Sequence, residues 1–220
     1  MRHVPQSLLM PQLSSLPKLH WLTFAFGYMT AASPFLRGST RIQVEDTRGG
    51  YGALSLTIHW LAAAGIIALW LLGNQMEDLP RGPERTAALD LHVSVGVALF
   101  VVLAGRILWR LFSTLPDSPD EAPALRIFAR AVQVGLLLCL TILIVSGPMT
   151  IWTAGHPLPV FGLFTIPSPL AENHALHEAF ETAHVVTSKV ILVLFLVHVL
   201  GALKLWVTRP SLLRMVAPGR

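Results

Sequence analysis

The stretch HVVTSKVILVLFLVH, residues 184–198, carries a histidine at each end of an apolar run and a single lysine, Lys189, between them. Neither imidazole is needed to fill a membrane or a core, so each marks a place where something is held. The two lie fourteen residues apart, which is two heptads. At 100° per residue they differ by about 40° around a straight helix and stand about 21 Å apart along its axis. They look out of one seam at two depths.

That seam lies in a membrane protein. Of 220 residues, 53% are hydrophobic and only 13% charged, about half the charge of an ordinary soluble domain, and the mean hydropathy is +0.61. Four apolar runs, residues 54–76, 91–112, 127–151 and 184–207, each reach the ~20 residues that a helix needs to cross the hydrocarbon. Unpaired backbone finds no water at that depth, so the spans are helical. The expected fold is an all-α membrane protein, a four-helix transmembrane bundle over residues 51–220, with residues 1–50 as an N-terminal extension outside the functional core. Within that extension LHWLTFAFGYMTAASPFL, residues 19–36, is apolar and interrupted by Pro34. A signal-like segment, an interfacial helix, a fifth span and translated sequence upstream of the true start all fit it.

Basic residues give the orientation. The connection after the first run carries Glu77, Asp78, Glu84 and Asp90 against Arg81 and Arg85, and the one after the third carries Glu172, Glu178 and Glu181 with no Lys or Arg. Arg106, Arg110, Arg126 and Arg130 surround the second connection; Lys204, Arg209, Arg214 and Arg220 follow the fourth run; Arg37, Arg41 and Arg48 precede the first. The positive-inside rule therefore puts the second connection and both termini in the cytoplasm. This asymmetry accounts for the net charge of +4, and no basic stripe with interleaved aromatics points to nucleic acid. The single cysteine, Cys139, excludes an internal disulfide, a Cys-based iron–sulfur site and covalent c-type haem. Walker and G-x-S-x-G motifs are absent from the sequence, which argues against nucleotide-driven or triad chemistry.

Depth sorts the histidines into pairs. His59 starts the first span and His198 ends the fourth, both towards the cytoplasm; His92 and His184 open the second and fourth on the outer side. Two imidazoles facing each other suit the axial positions of a six-coordinate haem iron. Zinc would call for a third or fourth ligand at each level, and a proton relay for carboxylates within the spans. A lone membrane histidine is more often an interhelical hydrogen bond, but four that pair by depth favour two stacked haem sites. Arg106, fourteen residues after His92, falls at the inner level, and Arg110 follows one turn on; a haem propionate or an ordinary positive-inside flank accounts for them. Gly96 and Gly201 would let a porphyrin approach the backbone, or serve as small helix contacts. Lys189 lies roughly 140° off the ligand face, where it can snorkel outwards or stand near an outer substrate.

Four segments carry a family resemblance: LTIHWL (residues 56–61), LHVSVGVALFVVLAGRILWRL (91–111), HVVTSKVILVLFLVHVLGAL (184–203) and LLRM (212–215). From about residue 50 to the end, the chain resembles the prokaryotic cytochrome b561 family. The resemblance implies a four-helix inner-membrane protein with two b-type haems exchanging electrons with the quinone pool, and it maps the ligands onto His59, His92, His184 and His198. Some members oxidise superoxide on the outer face, which a cationic Lys189 would suit. Gln133 stands where many members have a histidine, and the histidine-rich end after the last ligand is reduced to ALKLW. His177, seven residues before His184, is a rival ligand, while His156 and His174 read as loop residues.

The expectation is a membrane electron carrier or quinone-linked oxidoreductase, working by ligation, burial and propionate pairing rather than acid–base catalysis. Its partners are membrane lipid, quinone and an unidentified electron donor. A second reading is a haem-bearing anchor for a dehydrogenase or hydrogenase subunit, which the long Pro-rich loop at residues 151–183 could receive. A third is a haem-free transporter or scaffold with structural histidines.

Overall fold

A computed structural model describes residues 43–114, 116 and 122–208. It contains α1 (Ala53–Asp78), α2 (Pro83–Phe112), α3 (Pro123–Thr153), a short hairpin of β1 (Leu158–Val160) and β2 (Phe164–Ile166), and α4 (His174–Thr208). All four helices are long and apolar enough to cross a membrane. The chain is a multi-pass membrane protein built as a four-helix bundle. The stretch at residues 19–36, the LLRM segment and the arginines that flank them lie outside the described residues.

The helices begin earlier than the apolar runs. α2 starts at Pro83 rather than residue 91, with proline in the first turn and Glu84 against the helix dipole. α3 starts at Pro123 rather than residue 127. α4 starts at His174 rather than 184, where Asn173 Oδ1 accepts the Leu176 N–H at 3.1 Å. Apolar runs mark the depth of the hydrocarbon, whereas caps mark where the hydrogen-bonded ladder begins, so α3 stands out of the lipid by about one turn and α2 and α4 by two to three. His174 is therefore an exposed first-turn helical residue, not a loop residue.

α1 packs antiparallel on α2 and α3 on α4, with a lighter α2–α3 contact joining the two hairpins. Ala62, Leu103, Cys139, Leu140 and Ile191 form the buried centre. Gly65 admits the Leu99 side chain and Gly135 that of Leu194, contacts that a Cβ would crowd to 2.8 and 3.0 Å. Outward-facing side chains such as Leu71, Val101, Leu138 and Leu200 are exposed, as lipid-facing residues are. The pairs α1–α4 and α2–α4 scarcely approach one another backbone to backbone. One end of the bundle carries Arg106, Arg110, Arg126, Arg130 and Lys204. The other carries seven carboxylates, Glu77, Asp78, Glu84, Asp90, Glu172, Glu178 and Glu181, against Arg81 and Arg85. We call these the basic and acidic ends.

Each end is closed by a non-helical segment. At the acidic end β1 pairs with β2 (Leu158 opposite Ile166, Val160 opposite Phe164) and lies along α2. At the basic end residues 43–52 fold onto α1 and α2. Asp46 accepts from Gly52 N–H at 2.7 Å and from Ser55 Oγ at 2.6 Å, while Ala53 N–H donates to the Gln43 carbonyl at 2.8 Å. Together they satisfy first-turn donors that a hydrophobic helix start leaves open.

A Cβ on Gly52 would overlap the Val44 carbonyl oxygen and lie 2.5 Å from the Glu45 carbonyl carbon, both of them backbone atoms. Gly52→Ala should therefore detach this segment and its Asp46 cap. The expected loss is about 1–2 kcal/mol, roughly 2–8 °C in Tm for a chain of this size, in detergent thermal unfolding. An unchanged Tm would mean that the segment adds nothing to stability.

Candidate metal centres

The histidines meet in the pairs that depth predicts. At the acidic end the His92 and His184 rings stand 6.4 Å apart between centroids with planes at 83°; at the basic end His59 and His198 stand 6.2 Å apart at 71°. Each pair bridges helices that otherwise scarcely touch, α2 to α4 and α1 to α4. Two imidazole nitrogens about 2 Å from a shared metal, each about 1 Å from its ring centre, would put the centroids about 6 Å apart. Among the described residues no three His, Cys, Asp or Glu gather where they could hold a metal ion. Both sites therefore offer two nitrogens and nothing more.

Ring partners indicate which nitrogen is left over. Ser146 Oγ lies 3.0 Å from His184 Nδ1. With Nδ1–H donating to that hydroxyl, Nε2 carries the free lone pair. Arg106 Nη2 lies 3.4 Å from His59 Nδ1. A ring that ligates through Nε2 keeps its proton on Nδ1, so there the contact sets donor against donor and the guanidinium is available to an anion. The buried Nδ1 of His92 has no hydrogen-bond partner of ordinary geometry among the described residues.

Two glycines complete the acidic-end site. A Cβ on Gly73 would lie 3.4 Å from His92 Cε1, and one on Gly147 3.3 Å from His184 Cε1. Neither was expected, yet the sequence contains their signal. The two-heptad step recurs in every helix, as His59 to Gly73, His92 to Arg106, Gln133 to Gly147 and His184 to His198. Of the glycines that sequence singled out, Gly96 makes an ordinary helix contact with Leu69, while Gly201 faces open space.

The remaining candidates separate from the pairs. His177 Nδ1 lies 2.9 Å from the Thr150 carbonyl and its Nε2 3.7 Å from Glu181, with no second histidine opposite. His156 is exposed in the turn after α3, Lys189 is exposed on α4, and Gln133 is half-buried. At the basic end Arg110 lies 5.6 Å over the Tyr51 ring, and its Nη2 donates to the Tyr51 hydroxyl at 3.5 Å. Its Nη1 is buried with no partner among the described residues, which leaves a cationic donor open to a carboxylate.

Residues 50–218 match the family described as prokaryotic cytochrome b561. The chain belongs to that family. It is 33% identical to cytochrome b561 homolog 2 of Escherichia coli (strain K12) over 161 residues, 72% of this chain and 86% of that protein. It is also 33% identical to cytochrome b562 of Cereibacter sphaeroides over 112 residues, 49% of this chain and 69% of that one. The prokaryotic cytochrome b561 is a membrane cytochrome b, which implies haem iron and haem-mediated electron transfer. The residues present fit that group. Paired imidazoles without a third ligand among the described residues, glycines against two of the rings and an orphaned guanidinium nitrogen suit a flat, dianionic macrocycle.

Gly147→Val or Gly73→Val should displace a neighbouring ring, at about 1–3 kcal/mol of overpacking. A clear fall in haem per chain, by pyridine haemochrome, is expected for both. Gly105→Ala, whose added Cβ meets nothing within 4 Å, should bind haem as the parent does.

Proposed function

We propose that the chain carries two b haems, one between His92 and His184 and one between His59 and His198, and passes electrons across the bacterial inner membrane in exchange with quinone. The observation behind this reading is the pairing of all four rings at two levels, each pair spanning helices that do not pack. Bound between two imidazoles, haem iron would supply one-electron exchange with no open coordination position. The residues of the chain do the rest. Ser146 fixes the His184 ring, Arg106 and Arg110 meet propionate charge, and α4 sets the two levels about 21 Å apart. The basic end faces the cytoplasm by the positive-inside rule, which also puts the C-terminus there.

Charge supports a direction. Arg106 and Arg110 stand at the basic-end site and favour an added electron there. Ser146, accepting from the Nδ1–H of His184, raises that ligand's basicity and favours the oxidised state at the acidic end. Electrons would then run from the acidic to the basic end. The carboxylate-rich acidic end suits a neutral or cationic donor better than superoxide, since its seven carboxylates outnumber Arg81, Arg85 and Lys189.

The reading predicts two haems per chain by pyridine haemochrome, with His59→Ala and His184→Ala each losing one. No haem in folded protein expressed with haem available would overturn it. In potentiometric titration, Arg106→Gln should lower one midpoint potential by on the order of 50 mV, the effect of a unit charge about 10 Å away at an effective dielectric near 20. Ser146→Ala should raise the other.

A further inference from the structure

The hairpin at the acidic end has a feature that electron transfer does not use. Its turn, Val160 to Leu163, is closed by Leu163 N–H on the Val160 carbonyl at 2.9 Å, with Phe161 at φ 49° and Gly162 at φ 68°. Both central residues are left-handed, as in the tight primed turns that glycine and asparagine make without cost. A bulky Phe161 there is an outlier that persists only where its surroundings hold it. Ser94, 1% exposed, holds it: its Oγ accepts the Phe161 N–H at 2.8 Å and divides its own proton between the Asp90 carbonyl at 2.6 Å and the Pro159 carbonyl at 3.2 Å. A Phe fixed by its backbone in this way is kept for its ring, and the ring points out. Phe161 is 51%, Leu163 80% and Phe164 58% exposed, while Leu158 and Val160 are buried.

Depth indicates what those side chains meet. Asp90 is the last charge of α2 before Arg106, and the apolar run begins at Leu91. Ser94 lies four residues past Asp90, about 6 Å further along the helix. Residues 159–161 are therefore fixed beside the first apolar turn of α2, where Ser94 Oγ reaches back to the Asp90 carbonyl. We propose that the Val160–Phe164 turn is inserted into the acyl region of the leaflet at the acidic end, as a small wedge beside His92. Two of its N–H groups are taken, that of Leu163 by the Val160 carbonyl and that of Phe161 by Ser94 Oγ, which lowers the cost of entering lipid. Three large apolar side chains at this depth continue the hydrophobic surface of the spans.

The test is a spin label on Leu163→Cys in a Cys139→Ala background, or Cys139→Ser if the alanine variant aggregates. Collision with oxygen and with a water-soluble nickel chelate is then read in phosphatidylethanolamine–phosphatidylglycerol vesicles. Lipid insertion predicts oxygen collision well above nickel collision at position 163, the reverse for a label at Arg81 in the α1–α2 connection, and a several-fold rise in nickel collision at 163 when Ser94 becomes Ala. Monodisperse elution shows that each variant is folded, independently of haem. Nickel collision at 163 equal to that at 81 would place the turn in water. Shielding from both reagents would place it against protein, a second copy or another subunit. Either result overturns the proposal.

Discussion

An imidazole held at hydrocarbon depth has two nitrogens to satisfy, and a bundle of apolar helices supplies a partner for one of them at most. Everything at the two centres follows from that shortage. For His184 the partner is Ser146 on α3, which leaves Nε2 towards His92. At His59 the neighbour of Nδ1 is the Arg106 guanidinium on α2, itself only a donor, and the ring faces His198. An unpaired nitrogen at that depth costs several kcal/mol, and rings that face each other in pairs are suited to a common occupant. Haem iron is an occupant of that kind, and the family's name says that these proteins are cytochromes.

The same shortage explains why α4 stands apart from α1 and α2. Close packing of those helices would bury the rings against each other and leave no room between them. Instead the bundle is held by α1 on α2 and α3 on α4, where Gly65 and Gly135 let Leu99 and Leu194 come close. Packing resides in the two hairpins, and the paired rings lie between them. The ends differ because the lipid boundary differs. At the basic end arginines enter the site and Asp46, reaching Gly52 and Ser55, anchors the chain beneath them. At the acidic end the site is lined by Gly73, Gly147 and Ser146.

How much of this was legible in the sequence depends on the length scale of each interaction. Four spans and the pairing of His59 with His198 and His92 with His184 follow from periodicity, because a helix converts spacing into depth and face. Family resemblance and depth selected the same four residues independently. Helix starts at Pro83 and His174 lie ahead of the apolar runs, because apolarity reports lipid contact and not backbone hydrogen bonding. His177 shares a face with His184, and only the third dimension shows its ring nitrogens directed at Thr150 and Glu181. Ser94 reads as one letter of an H-x-S-x-G pattern, but its partners Pro159 and Phe161 lie 65 and 67 positions away, beyond the reach of any local rule. Gly73 and Gly147 were within reach, since they repeat the fourteen-residue step, but a glycine draws notice only once the ring beside it is known.

α2 ties these observations together. Within it His92 faces one centre, Ser94 two residues on secures the hairpin, and Arg106 and Arg110 reach the other centre. Rotating α2 to bring His92 closer to α4 would pull Ser94 from Phe161 and Arg106 from His59 together, because a rigid helix moves all its faces as one. Its position is thus over-determined by contacts at three levels, and a single off-face residue has little freedom to shift. The hairpin is therefore more than a cover. It fixes the rotation of the helix whose histidine it flanks, so the closing segment at the acidic end and the arginines at the basic end hold the same geometry from opposite sides of the membrane.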